Sequence, residues 1–275
     1  MKKGKAVLII RQKEGHQITW IDAFAEGLKR HGWQVKVETG YELADLVVIW
    51  GTRKRDIIGR TKADGGEICI LERGYLGDRF FWTSVSFGGG LNGRGEFRRP
   101  DDYDGRRFYR RFGDLMRPWH QPEGGYALLI GQVPGDMSLQ HVNIESWYSK
   151  TARALEAAGW NVLFREHPLA GRRGGTRASG LKRVDGSLED AMRGARLVVT
   201  YNSNAAVEAA LFGRPVIAMD EGSMAWQVAG HEIGEIIMPY RADWAARLAW
   251  CQWSDAEMRS GECMEAIRLC QVPAV

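Results

Sequence analysis

Short apolar runs of strand length alternate with helix-length segments along this chain, break off, and then alternate again. A strand, a helix and a further strand predict parallel pairing, because the crossover helix returns the chain to the same end of the sheet. Ala6–Ile10 predicts a first strand. Gln17 to Arg30 predicts an amphipathic helix, with Ile18, Ile21, Phe24, Ala25 and Leu28 at three- and four-residue spacing and Gly32 at its end. Val35–Glu38, Leu46–Trp50 and Ile68–Leu71 predict the next strands. From Phe80 to Arg117 the periodicity fails, and Gly88-Gly89-Gly90, Asn92-Gly93 and a dense Arg/Asp stretch predict irregular loops. Phe80 and Phe81 are expected in the core.

Pro118 and Pro122-Glu123-Gly124-Gly125 place a domain boundary near residues 115–123. The pattern then resumes. Tyr126–Ile130, Asn161–Arg165, Leu197–Thr200 and Pro215–Met219 predict strands, and Ile144 to Ala158 and Asn204 to Phe212 predict helices. Ser187 caps a short helix running to Ala195, and a tail from Ala242 to Leu269 reads as helical. The expected fold class is α/β, with two Rossmann-like domains at residues 1–118 and 123–275.

Of the 275 residues, 44% are hydrophobic and 26% charged, which places the chain among packed globular proteins and outside the regime of disorder. No apolar run approaches the roughly 20 residues of a bilayer span, and the apolar part of the start, Ala6 to Ile10, is too short for a signal peptide. Cys69, Cys251, Cys263 and Cys270 lack paired metal-ligand spacing and fit a reduced, cytoplasmic setting. The net charge is only +4, but arginines concentrate in Arg94 to Arg117 and Arg172 to Arg183. Such clusters suit a nucleotide phosphate, a nucleic acid or an anionic glycan, and equally a solvated charged loop.

The most informative stretch runs from Tyr201 to Ile217. A strand breaks into Asn202-Ser203-Asn204 and then a helix with Ala205 and Ala206 in its first turn. Unpaired backbone N–H groups and the positive end of a helix dipole converge there, which suits a phosphate. Ser203 or Asn202 can cap the helix, and Glu208, one turn in, is within reach of a ribose hydroxyl pair. An ordinary N-cap beside a surface glutamate has the same sequence.

Three segments together resemble the donor domain of GT-B glycosyltransferases, and more narrowly the capsule polysaccharide group that includes Kdo transferases: Gln132-Val133-Pro134-Gly135-Asp136, Arg165-Glu166-His167-Pro168, and Ser203 through Val216. The resemblance implies two domains facing a cleft, C-terminal helices bracing the first domain, and a nucleotide-sugar as substrate. It implies that His167 contacts the donor phosphate and assists the leaving nucleotide while Ser203 and the adjacent amides hold the same group; a packed histidine at a strand end is the plain alternative for His167. Asn202, Asn204, Glu208 and Pro168 are candidates for the same donor pocket, and Gln132 and Asp136 either orient sugar or phosphate or simply make the turn that Pro134-Gly135 predicts. A base must also deprotonate the acceptor hydroxyl. Glu72, which follows the fourth strand, is the first candidate and Asp78 the second; a salt bridge of Glu72 with Arg73 or Arg79 is the plain alternative. Short phage-encoded glycosyltransferase-like proteins are similar in Glu72-Arg73-Gly74-Tyr75 and Leu91-Asn92-Gly93-Arg94, so Arg73, Asn92 and Arg94 are candidates for the acceptor, and Trp82, in the aromatic stretch Phe80-Phe81-Trp82, is a candidate stacking platform for it.

No Asp-x-Asp pair stands where a metal would act, because Asp101-Asp102-Tyr103-Asp104 lies in the basic stretch and reads as solvated. The expected reaction is an inverting, metal-independent glycosyl transfer without a cofactor, the acceptor being an anionic glycan or a hydroxymethylated DNA base. A nucleotide-sugar 2-epimerase and a non-catalytic nucleotide or glycan binder are the alternatives.

Overall fold

Two sheets organise the computed structural model, which describes residues 4–10, 16–170 and 180–270. Residues 1–3 and the part of the second arginine cluster between 171 and 179 lie outside the described residues. The chain divides into two compact units: Met1–Arg111 together with Ala245–Val275, and Phe112–Trp244.

In the first unit the elements run β1 (Lys5–Ile9), α1 (His16–Arg30), β2 (Gln34–Glu38), β3 (Leu46–Trp50), α2 (Arg55–Ala63), β4 (Glu67–Arg73), β5 (Thr83–Phe87) and α3 (Arg106–Phe112). The second unit holds β6 (Tyr126–Ile130), α4 (Ile144–Ala157), β7 (Val162–Arg165), α5 (Leu188–Arg193), β8 (Ala195–Thr200), α6 (Ala205–Phe212) and β9 (Val216–Ala218). Helix α7 (Ala242–Ala249) spans the return, and β10 (Gln252–Trp253), α8 (Asp255–Ser260) and α9 (Glu262–Ala266) belong to the first unit.

The first sheet has the order β10-β5-β4-β3-β1-β2. Its β1 to β4 core is parallel, and β5 and β10 add antiparallel strands at one edge. Helices cover both faces, so the central strands read as nearly unbroken apolar runs. Ala6, Leu8, Leu46 and Val48 pack with Trp20, Ile21, Phe24 and Leu28 of α1 and with Met258, Met264 and Ile267 of the tail. Val7, Ile9, Val47 and Ile49 face Ile57 of α2 on the opposite side. The second sheet, β7-β6-β8-β9, is wholly parallel.

Four expectations are corrected. The boundary falls at residues 111 and 112, and the tail, whose helices brace the first domain as the resemblance implies, is part of the first unit and not of 123–275. The tail is not continuously helical: Gln252–Trp253 pairs with Ser84 and Thr83 of β5. The stretch after Phe80 is not all loop, because Thr83–Phe87 pairs in register with Cys69–Arg73 and Arg106–Phe112 is helical. The serines and the threonine of β5 mask its alternation, and the arginines of α3 mask a helix whose Phe108 and Phe112 are buried. Phe80 and Phe81 are not core; they stand 63% and 55% exposed on a turn.

Candidate functional site

In an open parallel sheet the ligand crevice forms outside the carboxyl ends of the strands, where the strand order reverses. In the second unit the reversal lies between β6 and β8. The loop after β6 carries Gln132 and Asp136, the loop after β8 carries Asn202 to Asn204, and His167 follows the neighbouring β7. The structure brings these residues to one edge, as the sequence predicts.

Their side chains divide into two groups. Gln132 and Asn202 are buried and bound to each other: Gln132 Nε2 donates to Asn202 Oδ1 at 2.8 Å, and the Asn202 N–H donates to Gln132 Oε1 at 3.0 Å. Asn202 Nδ2 donates to Ser138 O at 3.0 Å and to Asp220 Oδ2 at 2.7 Å, which uses both of its hydrogens. Asn202 therefore pins the two loops together and does not face a ligand. Asp136 caps a short 3-10 turn, its carboxylate accepting from Ser138 N at 3.0 Å and Ser138 Oγ at 2.9 Å.

The second group faces outward. Asn204 stands at the start of α6 with helical dihedrals and makes no side-chain cap hydrogen bond, so the capping side chain is that of Ser203 and not of Asn202. Ser203 Oγ accepts from Ala205 N at 3.2 Å, which places its hydroxyl against the first turn. Glu208 is exposed, with Oε1 at 3.5 Å from Asn204 Nδ2. The far end of α6 is held by Gly213 in the left-handed region (φ 87°) and by Arg241 Nη1, which donates to Ala210 O at 2.5 Å. Arg214 donates to the carbonyls of Met192, Arg193 and His120, so its charge serves the backbone beneath the helix.

His167 Nδ1 accepts from Leu169 N at 3.1 Å. Pro168 is exposed. Gly131 allows the β7 exit to come close: its N–H donates to Arg165 O at 2.8 Å, and a Cβ there would lie 2.9 Å from Phe164 and 3.1 Å from His167 N. Arg165, His167 and Pro168, with the ion pair of Arg183 and Glu166 at 3.0 Å, line a cavity of about 310 Å³.

Two residues escaped the sequence reading. Asp220 follows β9 and is buried, and His141 Nε2 lies 3.5 Å from Asp220 Oδ1 and 3.0 Å from Tyr201 Oη. Asp220 could have been found by the rule that polar residues ending a parallel strand sit at the ligand edge. His141 lies beyond the 3-10 turn and gives no such signal.

In the first unit Glu72 ends β4, its Oε1 accepting from Arg73 N at 2.9 Å and its Oε2 lying 3.3 Å from where a Cβ on Gly51 would stand. Glu72 is thus beside the carboxyl end of β3. The Arg73 guanidinium stacks on Phe80 at 3.9 Å. Asp78 makes a turn: Oδ1 accepts from Phe80 N at 2.8 Å, and its carbonyl accepts from Phe81 and Trp82. Trp82 is only 7% exposed, so it offers no open ring face to an acceptor. Asn92, in the left-handed region (φ 51°), accepts from Tyr75 Oη at 3.4 Å, and Arg94 is exposed.

The loop after β4 is fixed from the tail. Gln252, wholly buried, accepts from the N–H groups of Tyr75 at 2.6 Å and Leu76 at 2.9 Å and donates to Leu76 O at 3.1 Å. A Cβ on Gly74 would meet Gln252 Oε1 at 2.9 Å and the Trp82 Cβ at 2.5 Å, so this contact requires glycine.

Comparison with solved structures bears on the fold. The beta Kdo 2,7 transferase KpsC of Thermosulfurimonas dismutans superimposes with a TM-score of 0.57 at 13% identity, over 95% of this chain and 99% of that one. The beta Kdo 2,4 transferase KpsC of the same organism gives 0.52 at 16% identity, over 91% of each chain. This is a GT-B-type fold. At such identities the GT-B likeness concerns architecture alone. No protein-family model matches the chain, and no curated protein does. Among the described residues, no helix is long and apolar enough to cross a membrane.

Proposed function

We propose that the chain is a glycosyltransferase that moves a sugar from a nucleotide-sugar to a hydroxyl acceptor, by an inverting and metal-independent reaction. The observation that carries this reading is that the β7 exit, the loop after β6 and the α6 start all lie at the carboxyl edge of one parallel sheet. Breaking a sugar–phosphate bond builds negative charge on the departing phosphate oxygen. The Ser203 hydroxyl, the positive end of the α6 dipole and the His167 imidazole are assigned to that charge, while the first-turn amides themselves donate to Ser203 and Asn204. Glu208 is assigned to the ribose hydroxyls. Glu72 is assigned as the base that takes the acceptor proton, with Asp78 as the second candidate; its Oδ1 is already engaged in the turn.

Thermal-shift titration with CMP, UDP, GDP and their sugars tests donor binding, since a ligand at 100 times its Kd stabilises by about 2.7 kcal/mol. One nucleotide class is expected to raise Tm; no shift with any of them overturns the reading. His167→Ala is expected to lower turnover on the order of 100-fold. Unchanged turnover removes His167 from the reaction. Epimerised sugar from the donor alone, without an acceptor, would establish the 2-epimerase instead. The acceptor is an anionic glycan or a hydroxymethylated DNA base, and DNA binding whose salt slope shrinks when Arg94, Arg110 or Arg111 becomes alanine would select DNA.

A further inference from the structure

The first unit carries a second cavity, of about 460 Å³, lined by Phe97, Arg98, Arg99, Asp101, Tyr103 and Arg268. Arg98 pairs with Glu67, the first residue of β4, and its guanidinium lies 3.9 Å over the Phe87 ring.

Three guanidiniums line the cavity, each held in place. Arg98 is fixed by Glu67 and Phe87, Arg99 stacks on Tyr103 at 4.6 Å, and Arg268 donates to Asp101. The carboxylates of Glu67 and Asp101 balance two of them. Among the described residues no ion pair balances Arg99. Phe97 adds an aromatic wall, itself seated edge-on against Tyr75 at 6.1 Å.

Arg268 adds an independent observation. It sits just past α9 at φ 60°, where its N–H donates to Glu265 O and the next N–H donates to Met264 O at 2.8 Å. That hydrogen-bonded helix end favours glycine, and an arginine there is held against its backbone preference. A position that would take glycine more easily instead delivers a guanidinium to the cavity.

We propose that this cavity is a second saccharide site, which holds a carboxylated sugar of the acceptor chain. Forked guanidiniums bind carboxylates in pairs, and aromatic walls take the apolar face of a sugar ring. The volume is that of a small-molecule pocket, about 300–1,000 Å³, and exceeds what a single inorganic anion fills. Asp101 in the lining is compatible with one charge per sugar, but it opposes a duplex carrying a charge every ~1.7 Å. The proposal rests on the transferase reading only for why a sugar chain would be present.

Calorimetric titration with galacturonate oligomers of graded length, without any donor, tests the site. Saturable binding at physiological salt is expected, with Arg99→Ala and Arg268→Gly each weakening it on the order of tenfold. Arg268→Gly also separates binding from folding, because glycine suits that backbone: its Tm is expected to be unchanged or higher. Wild-type affinity in both variants overturns the site. So does equal binding of neutral glucose oligomers, or tighter binding of duplex DNA lost in the same variants. Inorganic phosphate displacing the oligomers at equal concentration would reduce the site to a simple anion pocket and overturn it too. Oligomer binding without turnover on any donor would instead count against the transferase reading alone.

Discussion

At the scale of single residues, sequence reading located the carboxyl edge of the second sheet better than it assigned roles within it. Gln132, His167, Asn202 and Ser203 do gather where β6, β7 and β8 end, because strand ends are legible from apolar runs. Which of them face a ligand was not legible, because that depends on hydrogen bonds across loops 70 residues apart, such as the Gln132–Asn202 amide pair. Gln252 was likewise invisible: a glutamine in an apparently helical tail gives no hint that it satisfies two backbone N–H groups of the loop after β4, the strand that carries Glu72. Gln252→Ala leaves both of those buried donors unpaired, and each such group costs about 1–3 kcal/mol. Urea unfolding of the first unit is expected at lower denaturant with an unchanged m-value. If the midpoint does not move, the clamp is not a stability determinant.

At the scale of elements, β5, α3 and the tail form one assembly around a buried ion pair. Arg107 of α3 donates to Glu257 of α8 through Nη1 at 2.6 Å and Nη2 at 3.0 Å, and also to the carbonyls of Ala249 and Gln252, with Trp253 under its guanidinium at 4.4 Å. Glu257 also completes the capping box that starts α8 at Ser254. Burial alone would raise the Glu257 carboxyl, but hydrogen bonding and charge from Arg107, with Ser254 and Arg111 adding to it, hold it below its ordinary 4.5. A depressed carboxyl stabilises the fold fully above the unfolded pKa, and that stability is lost as pH falls through the folded one. Thermal melts of the wild type are therefore expected to soften progressively below pH 4.5. Glu257→Gln, which strands the Arg107 charge, is expected to lose about 3 kcal/mol at neutral pH and to flatten that acid limb. An acid limb identical in the variant would mean that other carboxylates produce it. Arginine-dense segments hide such elements from a periodicity reading, because Arg107 is a core residue written in a surface residue's alphabet.

At the scale of the whole molecule, the alternation of strands and helices made both parallel sheets legible, but not the path of the chain between units. Pro118 and the run from Pro122 to Gly125 looked like a single hand-over from one domain to the next. In fact the chain leaves the first unit after Arg111 and re-enters it at Ala245, so the second unit is an insertion. Residues 112–244 expressed alone are expected to fold cooperatively, whereas 1–118 alone lacks the tail that covers one face of its sheet and is expected to stay unfolded. Dispersed amide resonances from 1–118 would contradict this. The insertion also sets a timetable at the ribosome. Strands β1 to β5 emerge first, yet Gln252, Glu257 and Met258 follow only after the entire second unit has been synthesised. The part made earliest is finished last, and through that interval its uncovered apolar face is what a chaperone would meet.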